Sequence, residues 1–373
     1  MIKIVYIVST LRKSGPANQL RSLIEHLDRR SFSPFIITLS PEPRNSAAED
    51  FKPLNVEIFS LELSRAQSFF RAPRMLKEKV RRLSPAIIHT HGIRADLLSA
   101  LFLEGCRRVS TIHNFPFEDY PLTYGRIPGY IMAKAHTRML AGIEAPVGCS
   151  GAISSWFREK QNLQTDFINN GIDTSAFRKL PPEGRSNLRE KLKIPPDSLV
   201  FISAGHLNRR KDPLTLLEAF GKSARPGNLL ILLGDGNLRA RCVKKAGNMP
   251  HVRIEGRVDN VREYMQASDV FVSASLSEGF PLSVLEAFST GLYCMLSDIP
   301  PHAEAAGYLP DSAALFPKRD VSALCKTLVS AEERLPDFDS GLSAELAGNI
   351  FDASSMSGKY QALYDNLRDK EKI

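Results

Sequence analysis

Glu278 and Glu286 stand seven residues apart in the stretch Ser277 to Ala287, SEGFPLSVLEA, which follows the β-branched run DVFVSAS. Pro281 is expected to open a helix there, because a first-turn position has no use for an amide hydrogen. The free amides of that turn, Gly279 to Leu282, favour an anion. Glu286 is the one charged residue between Gly279 and Ser297. A lone carboxylate in an apolar helix is costly unless hydrogen-bonded, and a pair of ligand hydroxyls would serve. The plainer alternative is a structural carboxylate satisfied by backbone or by an arginine.

Positive charge gathers upstream in AGHLNRRKDPLTLLEAF (Ala204 to Phe220), where His206, Arg209, Arg210 and Lys211 fall between a strand and a helix. Guanidinium groups are always protonated and are shaped for phosphate; a solvated basic loop is the alternative. LLGDGNLRARC (Leu232 to Cys242) holds a Gly-x-Gly turn but lacks the third glycine of a dinucleotide fingerprint. Near the start, LRKSGPANQL places Gly15 and Pro16 between a strand and a helix, either as a simple turn or beside a ligand. His113 ends the run STIH, and His89 and His91 end IIHTH. Three imidazoles at neighbouring strand ends invite a metal, but no carboxylate or Cys partner accompanies them, so no metal site is assigned.

The elements that must position these residues come in two series of short apolar runs alternating with amphipathic stretches, the pattern of parallel sheets covered by helices on both faces. IKIVYIV, PFIITLS, VEIFSL, AIIHTH, RVSTIH and APVGCS form the first; LVFISAG, LLILLGDG, VRIEG, DVFVSAS, YCMLSD and ALFP form the second. Between them Arg178 to Ser198, with paired prolines and many charges, reads as a linker with one short helix. The tail carries Met356, Tyr360, Leu363 and Leu367 at helical spacing. Ligands of open parallel sheets lie beyond the carboxyl ends of the strands, where the residues singled out above fall.

The paired Glu resembles the Glu-(seven residues)-Glu signature of glycosyltransferase family 4 (glycosyl transferases group 1) and related retaining enzymes of the GT-B fold. The likeness keeps its order through most of the chain. Ala204 to Phe220 resembles the family's segment in which an Arg and a Lys hold the donor pyrophosphate; Lys211 matches the Lys, while His206 stands where Arg is usual and leaves Arg210 or Arg209 as the second cation. GRVDNV (Gly256 to Val261) resembles the loop near the nucleotide base, which points to Arg257 and Val258. LRKSGPANQL matches the Gly-rich loop with Gly15 alone of the usual pair, and His113 matches a His that contacts the transferred sugar. INNGIDTSAF (Ile168 to Phe177) and SDIPPHAE (Ser297 to Glu304) resemble two further turns.

The resemblance implies an α/β chain of two Rossmann-like, doubly wound parallel-sheet domains facing a cleft. Residues 1–178, joined by a C-terminal helix 356–373, would bind the acceptor, and 179–355 the nucleotide-sugar donor. A hexosyl residue would pass with retention from a UDP-linked donor to an acceptor hydroxyl, with no metal or other cofactor. His113 and Glu278 are then catalytic. Gly15, His206, Arg210, Lys211, Arg257, Val258, Gly279, Phe280, Pro281, Leu282 and Glu286 bind the donor. A sugar-nucleotide epimerase or phosphorylase of the same fold, or a non-catalytic nucleotide-sugar binder, are the rivals.

At 373 residues the chain suits two domains. MIKIVYIVST reads as a buried strand rather than a leader. Five scattered cysteines without a Cys-x-x-Cys pair fit unpaired thiols in a reducing cytoplasm. The net charge of +8 is uneven: 25 Lys and Arg stand against 16 Asp and Glu over residues 1–180, and 24 against 25 over the rest. A basic first domain suggests an anionic partner, and no nucleic-acid reader motif accompanies the charge. Arg65 to Arg82, with seven Lys and Arg interleaved with Phe69, Phe70, Met75, Leu76 and Val80, would suit anionic lipid headgroups at the inner face of the cell membrane, or simply meet water. Thr123 to Leu140 adds aromatic and basic residues for an acceptor site, and the acceptor favoured is a lipid-linked saccharide of surface polysaccharide assembly.

Overall fold

Runs of Val, Ile, Leu and Phe without alternating polarity form strands buried on both faces, as parallel sheets require. The computed structural model describes residues 1–247 and 249–369. Its first sheet comprises β1 (Ile2–Val8), β2 (Phe32–Thr38), β3 (Glu57–Ser60), β4 (Ile87–His91), β5 (Arg107–Ile112), β6 (Ala145–Gly148) and β7 (Asp166–Phe167), in the order β3-β2-β1-β4-β5-β6-β7. The second comprises β8 (Leu199–Ala204), β9 (Asn228–Leu233), β10 (Val252–Gly256), β11 (Val270–Ser273), β12 (Tyr293–Ser297) and β13 (Ala313–Phe316), in the order β10-β9-β8-β11-β12-β13. All pairs are parallel. Each sheet is doubly wound, with its strand order reversing between β1 and β4 in one and between β8 and β11 in the other. Those reversals are where such sheets bind ligands.

The chain divides into two compact units, Met1–Gly171 with the segment from Ala353, and Ile172–Asp352. In the first, alternate residues of β1 feed opposite layers: Ile4 and Tyr6 pack with Leu20, Leu23, Tyr360 and Tyr364, whereas Val5 and Ile7 pack with Ile37, Leu76 and Ala95. The C-terminal helix Ala353–Asp369 closes the first layer with Met356, Tyr360, Tyr364 and Leu367. Residues 370–373 of the expected helix lie outside the described residues. In the second unit Phe201, Leu217, Leu230, Val270, Val272 and Met295 lie in one core.

Two expectations need correction. The crossings lie at 171/172 and 352/353 rather than 178/179 and 355/356, because Ile172 donates its amide to Phe351 O at 2.8 Å and Thr174 bonds Asp352 at 3.1 Å. Nor is Arg178 to Ser198 a linker. Its helix Pro182–Lys191 buries Arg189, which donates to Ala267 O, Pro196 O and Ser198 O and pairs with Asp269 at 2.8 Å. A guanidinium with that many acceptors can be buried, so prolines and charge that look like a solvated connector are packed against the second sheet.

Candidate functional site

At the β8/β11 reversal three charged side chains meet. The loop after β8 supplies Arg210 and Lys211, and the loop after β11 supplies Glu278; Leu276 N–H donates to Arg210 O at 2.7 Å and ties the loops together. Glu278 is 5% exposed. Its Oε2 lies 2.6 Å from Arg210 Nη1 and its Oε1 2.6 Å from Lys211 Nζ, while the same Arg210 nitrogen donates to Ser277 O at 2.8 Å. Burial alone would favour the neutral acid, but the charges of Arg210 and Lys211 outweigh it and hold Glu278 well below the usual carboxylate range. Two cations on one carboxylate leave the cluster net positive, as a phosphate site needs.

Glu286 behaves in the opposite way. It sits on the helix Leu282–Ser289, partly exposed, with no hydrogen bond to its carboxylate among the described residues. Burial raises its pKa to about 7, against a smaller opposing pull from Lys211. Pro281 is the residue before this helix rather than its first, with extended backbone at ψ 113°, so the first-turn amides are those of Leu282 and Ser283. Phe280 is buried against Phe351, and its part is to anchor the turn that Gly279 begins.

Behind Glu278 lies a residue that sequence reading passed over. His302, fully buried, donates from Nδ1 to Ser297 O at 2.9 Å and accepts at Nε2 from Ser273 Oγ at 3.4 Å. Burial lowers its pKa to about 4, so the ring is neutral. Ser297 in turn donates to Ser275 O at 2.5 Å, which joins the ends of β11 and β12 under the carboxylate. The one available signal was a His within SDIPPHAE, a stretch already noted for its position.

The remaining donor-site candidates are more dispersed. His206 is exposed, with Nδ1 3.4 Å from Asp235 O, and Arg209 is exposed. Arg210, not His206, is thus the cation brought to Lys211. Arg257 is exposed and Val258 partly buried, just past β10 at the sheet edge. Their loop is joined to the Gly-x-Gly turn through the Gly234 N–H to Gly256 O bond of 2.6 Å.

That turn is glycine for want of space. Gly234 has φ +130°, and a Cβ there would lie 1.9 Å from Gly205 O; at Gly236 it would lie 2.4 Å from Leu207 O. Gly15, on the helix Gly15–Glu25 capped by Ser14, has open space within 4 Å of a Cβ and no positive φ. Gly234→Ala is therefore expected to destabilise the protein by more than about 2 kcal/mol. Gly15→Ala should leave the melting temperature unchanged or raise it, and any activity lost then reports on ligand approach. Equal melting temperatures for the two variants would contradict this.

In the first unit His91 ends β4 and His113 follows the adjacent β5, with Nδ1 of His91 2.9 Å from Nε2 of His113. Burial lowers His113 to about 4 and His89 to about 3, so both rings are neutral. His89 is consumed by structure, bonded to Tyr364 at 2.7 Å and Thr111 at 2.8 Å. The basic helix Arg65–Leu83 turns Leu76 and Val80 inward and exposes Arg71, Arg74, Lys77, Arg81 and Arg82. The side chains of Arg65 and Phe69 lie outside the described residues. Thr123 to Leu140 is broken at Gly125 into the helices Pro116–Tyr124 and Arg126–Leu140. Their junction exposes Tyr124, Ile127 (75%), Tyr130 (55%) and Ile131 (62%) beside Arg126, Lys134 and Arg138.

A family model described as "Glycosyl transferases group 1" matches residues 184–334, and "Glycosyltransferase Family 4" matches 13–176. Among curated proteins the chain is 26% identical to the O-antigen biosynthesis glycosyltransferase WclY of Escherichia coli over 98% of this chain and 99% of that one. It is 31% identical to the UDP-Gal:alpha-D-GlcNAc-diphosphoundecaprenol alpha-1,3-galactosyltransferase of E. coli, over 57% and 58%. Among solved structures, sucrose-phosphate synthase from Thermosynechococcus elongatus superposes with TM-score 0.83 at 17% identity, covering 98% of this chain and 99% of that one. HepE of Anabaena in complex with UDP gives 0.78 at 15%, covering 98% and 100%.

Proposed function

This chain belongs to the glycosyl transferases of group 1 and family 4, with the GT-B fold, and we propose that it moves a hexosyl residue from a UDP-linked donor to a hydroxyl of a lipid-linked saccharide, with retention of configuration. The observation that carries this reading is the pairing of an ionised Glu278, held by Lys211 and Arg210, with Glu286, its pKa raised and its carboxylate without a hydrogen bond among the described residues, at one strand-order reversal. The first gathers cations for a diphosphate; the second is a carboxylate waiting for hydroxyl donors.

The bond from the sugar's anomeric carbon to the diphosphate breaks as a bond to the acceptor oxygen forms, and the acceptor's proton passes to the departing phosphate. Lys211, Arg210 and the amides of Leu282 and Ser283 stabilise the charge that grows on the leaving group. Glu278 orients sugar hydroxyls, and Glu286 takes the ribose hydroxyls. Protein cations supply the charge, so activity in excess chelator is part of the proposal. The curated names support its finer points: one relative acts on a diphosphoundecaprenol-linked sugar, and a structural neighbour was solved with UDP.

The lipid part draws on the junction of Pro116–Tyr124 and Arg126–Leu140. Apolar side chains rimmed by Arg and Lys suit the boundary of an anionic bilayer better than the basic helix Arg65–Leu83 alone. No helix among the described residues is long and apolar enough to cross a membrane. The chain is expected to float with anionic liposomes at low salt, and Ile127→Glu with Ile131→Glu to abolish this.

The deciding experiment is a donor panel read by thermal shift, followed by product analysis with a diphosphate-lipid acceptor. UDP-sugar binding and acceptor-dependent transfer in the presence of chelator are expected. An epimerised donor without transfer would favour the epimerase, and stabilisation without turnover a binding protein.

A further inference from the structure

A row of three imidazoles runs along the end of β4 and just past β5. His89, His91 and His113 are stacked, with centroids 4.5 Å apart at 27° for the first pair and 5.2 Å at 24° for the second. His89 is pinned at both nitrogens, by Tyr364 from the C-terminal helix and by Thr111 from β5. Thr111 is itself bonded to Tyr360 at 2.8 Å. His91 is therefore sandwiched between a fixed ring and His113, with its Nδ1 bonded to His113 Nε2 and its own Nε2 buried without a partner among the described residues.

Each of these rings carries one proton near neutral pH, since burial disfavours the charged form in all three. Two arrangements of the shared bond are then open. If His113 donates, its Nδ1 is a bare acceptor and His91 must keep a proton on Nε2, a buried N–H with nothing to receive it. If His91 donates, the buried His91 Nε2 is left as an unused acceptor lone pair, and the proton of His113 moves to its Nδ1, which is not among the buried atoms without a partner. Orphaned buried N–H groups are the rarer of the two in folded proteins.

We propose that His91 is a positioning residue that sets the tautomer of His113: His91 Nδ1–H donates to His113 Nε2, and His113 presents a protonated Nδ1. This deepens the transferase reading and rests on His113 touching the transferred sugar. In this tautomer His113 can give a hydrogen bond to a sugar or phosphate oxygen, yet it has no free nitrogen with which to take a proton. It is thus excluded as the base for the acceptor hydroxyl, in keeping with proton transfer to the departing phosphate.

Tautomers are read directly from ring nitrogen shifts. In protein labelled with 15N-histidine at pH 7, a long-range 15N–1H correlation should show His113 with a pyrrole-type Nδ1 and a pyridine-type Nε2, assigned by the signals lost in His113→Asn. The reverse pattern in the native protein overturns the proposal with no variant needed. His91→Phe keeps the stack but removes the donor; His113 should then lose its single tautomer, and kcat should fall roughly 10-fold with donor KM little changed. His91→Asn, whose amide can donate, should recover part of the loss. A His113 spectrum unmoved in His91→Phe also overturns the proposal. If the spectrum moves while kcat does not, the tautomer assignment stands and the placing of His113 on the sugar falls.

Discussion

Lys211→Ala is expected to lower kcat/KM by roughly 10³-fold, most of it in kcat. Lys211 Nζ lies 2.6 Å from Glu278 Oε1, and its side chain is 17% exposed. Its charge is in place before any ligand arrives, so none of its orientation need be acquired during the reaction. Removing it has a second consequence. Glu278 would keep Arg210 alone against the cost of its own burial; leaving a buried charge with no partner costs about 3–5 kcal/mol, and with Arg210 still in place the loss should fall below that. Lost stability and lost catalysis would be confounded in the single variant. The double variant Lys211→Met with Glu278→Gln separates them, because Met and Gln carry no charge and Arg210, whose side chain is 27% exposed, keeps Ser277 O as an acceptor. Its melting temperature should recover toward wild type, while its turnover should lie at least 10²-fold below that of Glu278→Gln alone, the reference that carries the loss of the carboxylate. A double variant that turns over as fast as Glu278→Gln alone would make Lys211 merely the partner of Glu278.

The strands were legible because sheets covered on both faces leave unbroken apolar runs, and each of the twelve runs became a strand. β7 escaped notice: Asp166–Phe167 is two residues long and carries no period. The Arg178 to Ser198 segment misled because composition cannot distinguish a solvated arginine from one such as Arg189, whose acceptors include carbonyls of the very prolines that suggested a linker. The spacing of Glu278 and Glu286 was visible at once, but not that one is held ionised and the other pushed toward neutrality. That difference comes from Arg210 and Lys211, brought in from another strand end. The same holds for the choice of Arg210 over His206, which is a matter of loop geometry. The apolar junction at Ile127 and Ile131 was not legible: Ile127, Tyr130 and Ile131 at helical spacing would be expected to face a core, whereas the helix buries Gly129, Ala133, His136 and Leu140 and leaves those three exposed.

Glu286 should give the enzyme a pH dependence near neutrality. Its pKa in the ligand-free fold is about 7, against an ordinary 4.5. A group raised in this way favours the fold while protonated; its contribution is complete below about 4.5 and is lost as pH rises to about 7. The ligand-free protein should thus lose stability across that window, and Glu286→Gln, which cannot titrate, should not show this loss. Donor binding runs the other way. Hydroxyls that donate to the carboxylate favour its ionised form, so the bound donor lowers the pKa and binding releases a proton near pH 6 to 7. Donor affinity should therefore rise with pH through about 7 in the wild type and stay flat in Glu286→Gln. Hydrogen bonds to a charged group are worth about 1.5–3 kcal/mol each, so losing a ribose pair in Glu286→Ala should weaken donor binding by roughly 100-fold. Isothermal titration in two buffers of different ionisation heat would count the proton. A donor affinity independent of pH from 5.5 to 8.5 in the wild type would remove Glu286 from the ribose, because hydroxyls that donate to a carboxylate of pKa about 7 must shift its titration.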